Sequence, residues 1–212
     1  MISSAEATSS PVVASLFDHL LGAIHDGTLQ PGARISDAEL AREHNVSRTP
    51  AREAIQRLRD IGVIEASANR YTRVAVVTPL QTTQAMAVWV GLYGVLAREV
   101  AHDVPDEVIE TMNADHHRFV ELLASGDYPG IASANFDFYG RLRPLSRNEV
   151  LQRSITGVVH MIRLGSLHLP ESLDMPQLAG NQHQLLEALR ASDVERAVAS
   201  IESLRSIRIP QE

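Results

Sequence analysis

Residues 35–62, ISDAELAREHNVSRTPAREAIQRLRDIG, hold two short helical patterns with almost nothing between them, and this spacing constrains the fold more than any other feature. Ser36 and Glu39 form a capping-box pair in front of a helix over 37–44, in which each side chain satisfies a backbone N–H at the helix start. Asn45 breaks that helix, and Ser47 is suited to cap a second one running to Asp60. Pro50 is tolerated because it falls in the first turn, where backbone N–H groups have no partner within the helix. At about 100° per residue, Ala51, Ala54, Leu58 and Ile61 share the side that must face a core, while Arg48, Thr49, Arg52, Gln56 and Arg59 share another. The flanks agree with a helix-turn-helix. Periodicity that begins near Val12, with Val13, Leu16, Leu20, Leu21 and Ile24 on one apolar stripe, predicts a helix that stops at Gly27. After Gly62, the β-prone stretches 63–66 and 72–77 read as a small hairpin.

The net charge of −7 is wrong for a DNA-binding protein until it is divided along the chain. Every cationic side chain is Arg. Residues 41–73 carry seven of them against four acids, whereas residues 79–212 carry 11 against 17. A local basic patch on an acidic body is the electrostatic pattern of a nucleic-acid module joined to another domain. Arg can donate two hydrogen bonds to a guanine edge, and Gln can pair twice with adenine. The second helix would enter the major groove of double-stranded DNA, with Arg34 and Arg42 reaching phosphates, which set register without reading sequence. A merely solvated basic face is the competing explanation, and the joint occurrence of tight helix spacing and hairpin weighs against it.

Beyond Thr78-Pro79 the patterns are helical throughout, over about 80–101, 105–125, 128–145, 147–165, 175–190 and 193–207. The expected fold class is therefore mostly α: a disordered arm over 1–10, a winged helix-turn-helix of three helices and a hairpin over 11–78, and an all-helical antiparallel bundle over 79–212. The absence of Cys excludes disulfides, thiolate nucleophiles and Cys-based zinc sites. No apolar run approaches the length of a membrane span and no leader-like start is present, so a cytoplasmic location with no membrane partner is expected.

GTLQPGARIS, ELA, NVSRTPAREAIQRL and GVIE, all within residues 19–76, resemble the winged helix of the GntR-type bacterial transcription regulators. The resemblance implies base or phosphate contact by Arg48, Thr49 and Arg52, with Arg34 near the backbone. The full DNA-facing set expected is Arg34, Arg42, Ser47, Arg48, Thr49, Arg52 and Gln56, with Asn69 and Arg70 at the wing tip. Two positions depart from the family. Ala38 stands where an Arg is usual, and Tyr71 stands where the wing usually turns on Gly, which a side chain makes costly if φ must be positive.

The segments SGDYPGIASANFDFYGRL and NQHQLLEALRASDVERAV are similar to the FCD effector domain of the FadR branch of that family. The resemblance implies dimers formed through helical surfaces and, in many members, a divalent metal held by one Asp and three His. Placed residue by residue, those ligands become Asn135, Tyr139, His183 and Leu204 or Arg205, while Val90 and Gly94 replace a helical Arg and Glu. One strong ligand of four does not hold a metal, so neither metal nor other cofactor is expected. Trp89, Tyr93, Asn135, Tyr139 and His183 are the candidate lining of a metal-free effector pocket; the alternative is that Tyr139 and His183 simply fill a closed core. Asp115-His116-His117 has metal-like composition, but neighbours on a helix point about 100° apart, and a solvated face is the preferred assignment. His160, on a largely apolar helix, is expected to be a satisfied core residue.

The function expected is a homodimeric, ligand-responsive repressor acting on a palindromic DNA operator, with a small-molecule effector held without a metal. Two alternatives stand beside it: a constitutive DNA-binding protein without effector, and a small enzyme localised by its DNA module. The absence of a nucleophile–base pairing or phosphate loop argues against the enzyme.

Overall fold

The computed structural model describes residues 10–67, 70–166 and 174–207. The expected N-terminal arm, except Ser10, and the wing residue Asn69 lie outside the described residues. The chain divides into two units, with the division between Val76 and Val77.

The first unit contains α1 (Pro11–His25), α2 (Asp37–Glu43), α3 (Arg48–Asp60), β1 (Ile64–Ser67) and β2 (Tyr71–Val74). Val13, Leu16, Leu20 and Ile24 bury one stripe of α1, whereas Leu21, expected on that stripe, is only half-buried. Ser36 caps α2 by accepting from the Glu39 N–H. Asn45 then adopts φ 52°, and the Asn45 and Val46 N–H groups bond back to Arg42 O and Ala41 O. These are the two bonds of a Schellman ending, and Asn takes the left-handed position at lower cost than most residues. The close turn lets Leu40, Ala51, Ala54, Ile55 and Leu58 join one core. β1 and β2 pair antiparallel from Ile64–Val74 to Ser67–Tyr71, and Arg34 adds an isolated antiparallel bridge to Arg73. Tyr71 is the first residue of β2 and does not take positive φ, so the expected conflict at that position does not arise.

The second unit is a helical bundle: α4 (Pro79–Val100), α5 (Asp106–Ser125), α6 (Tyr128–Gly140), α7 (Glu149–Ser166), α8 (Met175–Arg190) and α9 (Val194–Ser203), with short 3-10 turns at Arg143–Leu145 and Leu204–Ser206. Thr78 and Gln81 start α4 with a reciprocal capping box, and Asp127, Asp174 and Asp193 cap α6, α8 and α9. The single helix expected over 128–145 instead stops at Gly140. Pro144 has no N–H to donate to the Gly140 carbonyl, and the chain tightens into a 3-10 turn. α4 packs along α7, α5 along α6 and α8, and α8 along α9. The α4–α7 contact is close at Gly165, where an added Cβ would lie 2.9 Å from both Cβ and Cγ2 of buried Thr82. This approach helps bring Trp89 and Tyr93 of α4 into the interior with Tyr139 of α6.

A candidate nucleic-acid interface and a polar cluster in the bundle

In the first unit, α3 presents Arg48, Thr49, Arg52, Gln56 and Arg59 to solvent while its opposite face is buried. Arg48 and Arg52 are 62% and 71% exposed, yet they do not hang free. Arg48 Nη2 donates to Asp37 Oδ1 at 2.8 Å, and Arg52 Nη2 and Nε donate to Asp37 Oδ2 at 3.0 and 3.3 Å. The Arg48 hydrogen bond holds the Asp37 carboxyl below its ordinary range, with partial burial opposing and Arg52 assisting. Such an exposed ion triad contributes little to stability, about 1 kcal/mol at most, so its effect is orientation: one carboxylate on α2 aligns two guanidiniums on α3. Asp37 was missed in the sequence because it lies 11 and 15 positions from its partners, outside any local helix spacing.

Gln56 is tied into a second surface chain, donating to Asp60 Oδ1 at 2.7 Å and accepting from Arg59 Nη1 at 2.8 Å. Ser47 stands at the N-cap of α3 without its hydroxyl capping a backbone N–H. The expected side-chain cap is therefore not made, and N–H groups at the head of α3 remain open to an anion. Arg34, Arg42 and Arg70 are exposed. On the wing, Arg73 pairs with Glu65 and lies over the Tyr71 ring at 4.4 Å.

In the bundle, Trp89, Tyr93 and Tyr139 are brought together as a buried aromatic group. Trp89 stacks on Tyr93 at 4.2 Å and meets Tyr139 edge-on at 5.1 Å. The Tyr139 hydroxyl donates to Asn181 Oδ1 at 2.7 Å, and Asn181 Nδ2 donates to the Ser200 carbonyl and Ser203 Oγ. Burial pushes both phenols, Tyr93 and Tyr139, up from the ordinary tyrosine range.

His183 requires correction: its side chain is exposed, and the neighbouring Gln182, fully buried, occupies the interior instead. Successive helical residues point about 100° apart, so only one of the pair can face inward. Gln182 Nε2 donates to Asn135 Oδ1 at 2.9 Å, and its Oε1 lies 2.9 Å from His116 Nδ1, which must carry the proton of that bond. Asp115 also departs from expectation. It is buried rather than solvated, accepting from Arg141 Nε at 2.7 Å and Nη2 at 3.2 Å, so the Asp115-His116-His117 run spreads over three separate environments.

The interior donor set does not fit a divalent cation. Asn135 and Gln182 are neutral amides already paired with each other, Tyr139 is a protonated phenol bonded to Asn181, and Leu204 is an apolar core residue. Among the described residues no group of three His, Asp or Glu converges. His160 is buried on α7, and that burial, with the Arg163 and Arg143 guanidiniums, pushes its imidazole down to about 4. One polar atom stands apart. Trp89 Nε1 is buried and makes no hydrogen bond within the described structure.

Comparison with known proteins assigns both units. The profile of "Bacterial regulatory proteins, gntR family" matches residues 13–74, and that of the FCD domain matches residues 86–205. A Paenarthrobacter nicotinovorans protein named "Probable D-xylose utilization operon transcriptional repressor" is 24% identical over 194 residues, covering 90% of this chain and 84% of its own. The Nta operon transcriptional regulator of Aminobacter aminovorans is 30% identical over 137 residues, 63% of each chain. Among solved structures, E. coli McbR/YncC shares the fold with a TM-score of 0.79 at 21% identity, over 92% of this chain and 94% of that one.

Proposed function

The chain belongs to the gntR family of bacterial regulatory proteins, with an FCD domain behind its winged helix, and on that premise we propose that it represses transcription as a homodimer and releases its operator on binding a small molecule. It is a DNA-binding transcription regulator. The observation that carries the mode of binding is the Arg48–Asp37–Arg52 triad, two guanidiniums oriented outward at the head of a solvent-facing helix. α3 enters the major groove with Arg48, Thr49, Arg52 and Gln56 at base edges, while Arg34 and Arg42 reach phosphates and Arg70 contributes from the wing. Two half-sites about one helical turn apart would match the two-fold symmetry of a dimer. The exposed stripe of Val88 and Val95, one heptad apart on α4 with exposed Gly91 between, supports a helical dimer surface. The repressor sense follows the printed name of the Paenarthrobacter relative.

Selection of bound fragments from a random DNA library tests this proposal. Enrichment of an inverted repeat with half-sites about 10 base pairs apart is expected. Enrichment of an unrepeated short site, or of none, overturns the dimeric reading. A second reading, constitutive binding without effector, draws support from the mutually satisfied Tyr139–Asn181 and Gln182–Asn135 bonds, which leave little polar valence in the bundle. Trp89 Nε1 favours the ligand-responsive reading.

A further inference from the structure

We propose that the bundle of this regulator recognises an uncharged, planar molecule bearing a hydrogen-bond acceptor, and that the acceptor is taken by the indole N–H of Trp89. The inference rests on the ligand-responsive reading above and specifies the chemistry of its ligand. Trp89 is 3% exposed, and its Nε1 is a buried side-chain polar atom without a partner among the described residues. A buried donor left without an acceptor is destabilising, and a folded chain that keeps one calls for a partner that completes it. An indole N–H donates and cannot accept, which requires an acceptor on the ligand: a carbonyl, ether or ring nitrogen.

The surroundings set the remaining chemistry. Tyr93 stacks on Trp89 and Tyr139 meets it edge-on, so a ligand reaching the N–H edge lies beside aromatic surface that favours a flat, apolar body. The hydrogen-bonding side chains that join α6 and α5 to α8 are neutral amides and a phenol already occupied with one another, the Tyr139 hydroxyl with Asn181 and the Gln182 amide with Asn135 and His116. The Arg143 guanidinium, whose charge acts on the Tyr93 phenol, donates to Thr156. An anion brought to Trp89 Nε1 would lose its hydration for a single N–H bond, which is the expensive case for a buried charge. With Asn135, Tyr139 and Leu204 as neutral interior groups, a neutral ligand is favoured.

The protein contains one tryptophan, so the full chain reports on this site alone. The test is a titration of 15N-labelled full-length protein with benzamide and, separately, with benzoate, following the single indole N–H cross-peak. Benzamide should move that peak saturably, with affinity in the millimolar range expected of so small a probe and about tenfold or more above benzoate. Trp89→Phe, which retains an aromatic ring and removes the N–H, should weaken benzamide at least about fivefold as read by thermal shift, with helix content by circular dichroism unchanged. Benzoate binding as tightly as benzamide, a peak that neither probe moves, or undiminished benzamide affinity in Trp89→Phe each overturns the proposal. A peak that neither probe moves and that already lies at the position of a hydrogen-bonded indole marks a trapped water as the partner. Operator release is scored separately. An anion that releases operator without moving the indole peak would leave the ligand-responsive reading intact and refute this one. Benzamide bound at Trp89 without effect on operator affinity would do the reverse.

Discussion

Replacing His160 with Gln removes the most strongly perturbed imidazole among the described residues of the bundle, and the effect on stability has a definite sign. In the folded chain, burial on α7, with the Arg163 and Arg143 guanidiniums, pushes His160 down to about 4, against an ordinary 6.5 in the unfolded chain. Between those values the unfolded chain binds more protons. Stability therefore rises with pH from 4 to 6.5 and, for this group, is flat above. At pH 5 the unfolded imidazole is almost wholly protonated and the folded one mostly neutral, a difference of about 2 kcal/mol relative to pH 7 and about 3 kcal/mol once both are protonated. Trp89, the single tryptophan, lies in the same bundle, so urea denaturation followed by its fluorescence isolates that domain. His160→Gln will carry its own packing cost at both pH values, and titration of the carboxylates is common to both proteins. The quantity that matters is the loss between pH 7 and pH 5, about 2 kcal/mol larger in the parent than in the variant. An equal loss in the two proteins would refute the assignment of that pH dependence to His160.

Three further expectations follow from particular contacts. Gly165→Ala places a methyl against Thr82 Cβ and Cγ2 and should cost about 1–3 kcal/mol in denaturant unfolding, the usual range for overpacking; a neutral effect would mean that the α4–α7 approach relaxes freely. Asp37→Asn should leave thermal stability almost unchanged but lower the ratio of operator to random-DNA affinity by about 1–2 kcal/mol, because two arginines lose their common alignment; an unchanged ratio would show the triad to be incidental. Val95→Asp should halve the mass of the proposed dimer by sedimentation, and a dimer undisturbed by it would place the interface elsewhere.

Most of the DNA-binding unit was legible because its signals are local. Ser36, Asn45 and Gly62 act on adjacent backbone, and the apolar spacing of α3 separates an inner from an outer face without reference to the rest of the chain. Asp37 was not legible as the partner of Arg48 and Arg52, because it is tertiary packing of α2 on α3 that joins them. In the bundle, His183 has the side chain of a common ligand, but the periodicity of α8 places its neighbour in the interior instead. Leu178, Asn181, Gln182, Leu185, Leu186 and Leu189 recur at helical spacing and are all buried, and 183 is not on that stripe. Asp115 was illegible for the opposite reason: its partner Arg141 lies 26 residues away at the end of α6, so a buried acid paired with an exposed arginine was indistinguishable from a solvated acid. The break at Gly140 was encoded by Pro144, whose effect falls four residues upstream of itself.

The central claim is that α3 reads the operator, and the most direct test is fluorescence anisotropy of Arg52→Ala on the selected operator and on a scrambled duplex at fixed salt, with Arg153→Ala, an exposed arginine on α7, as control. Loss of about 1–3 kcal/mol on the operator, with relaxed preference over the scrambled duplex and no change for Arg153→Ala, is the expected result. Unchanged operator affinity and preference in Arg52→Ala would contradict it, and α3 would not be the reader.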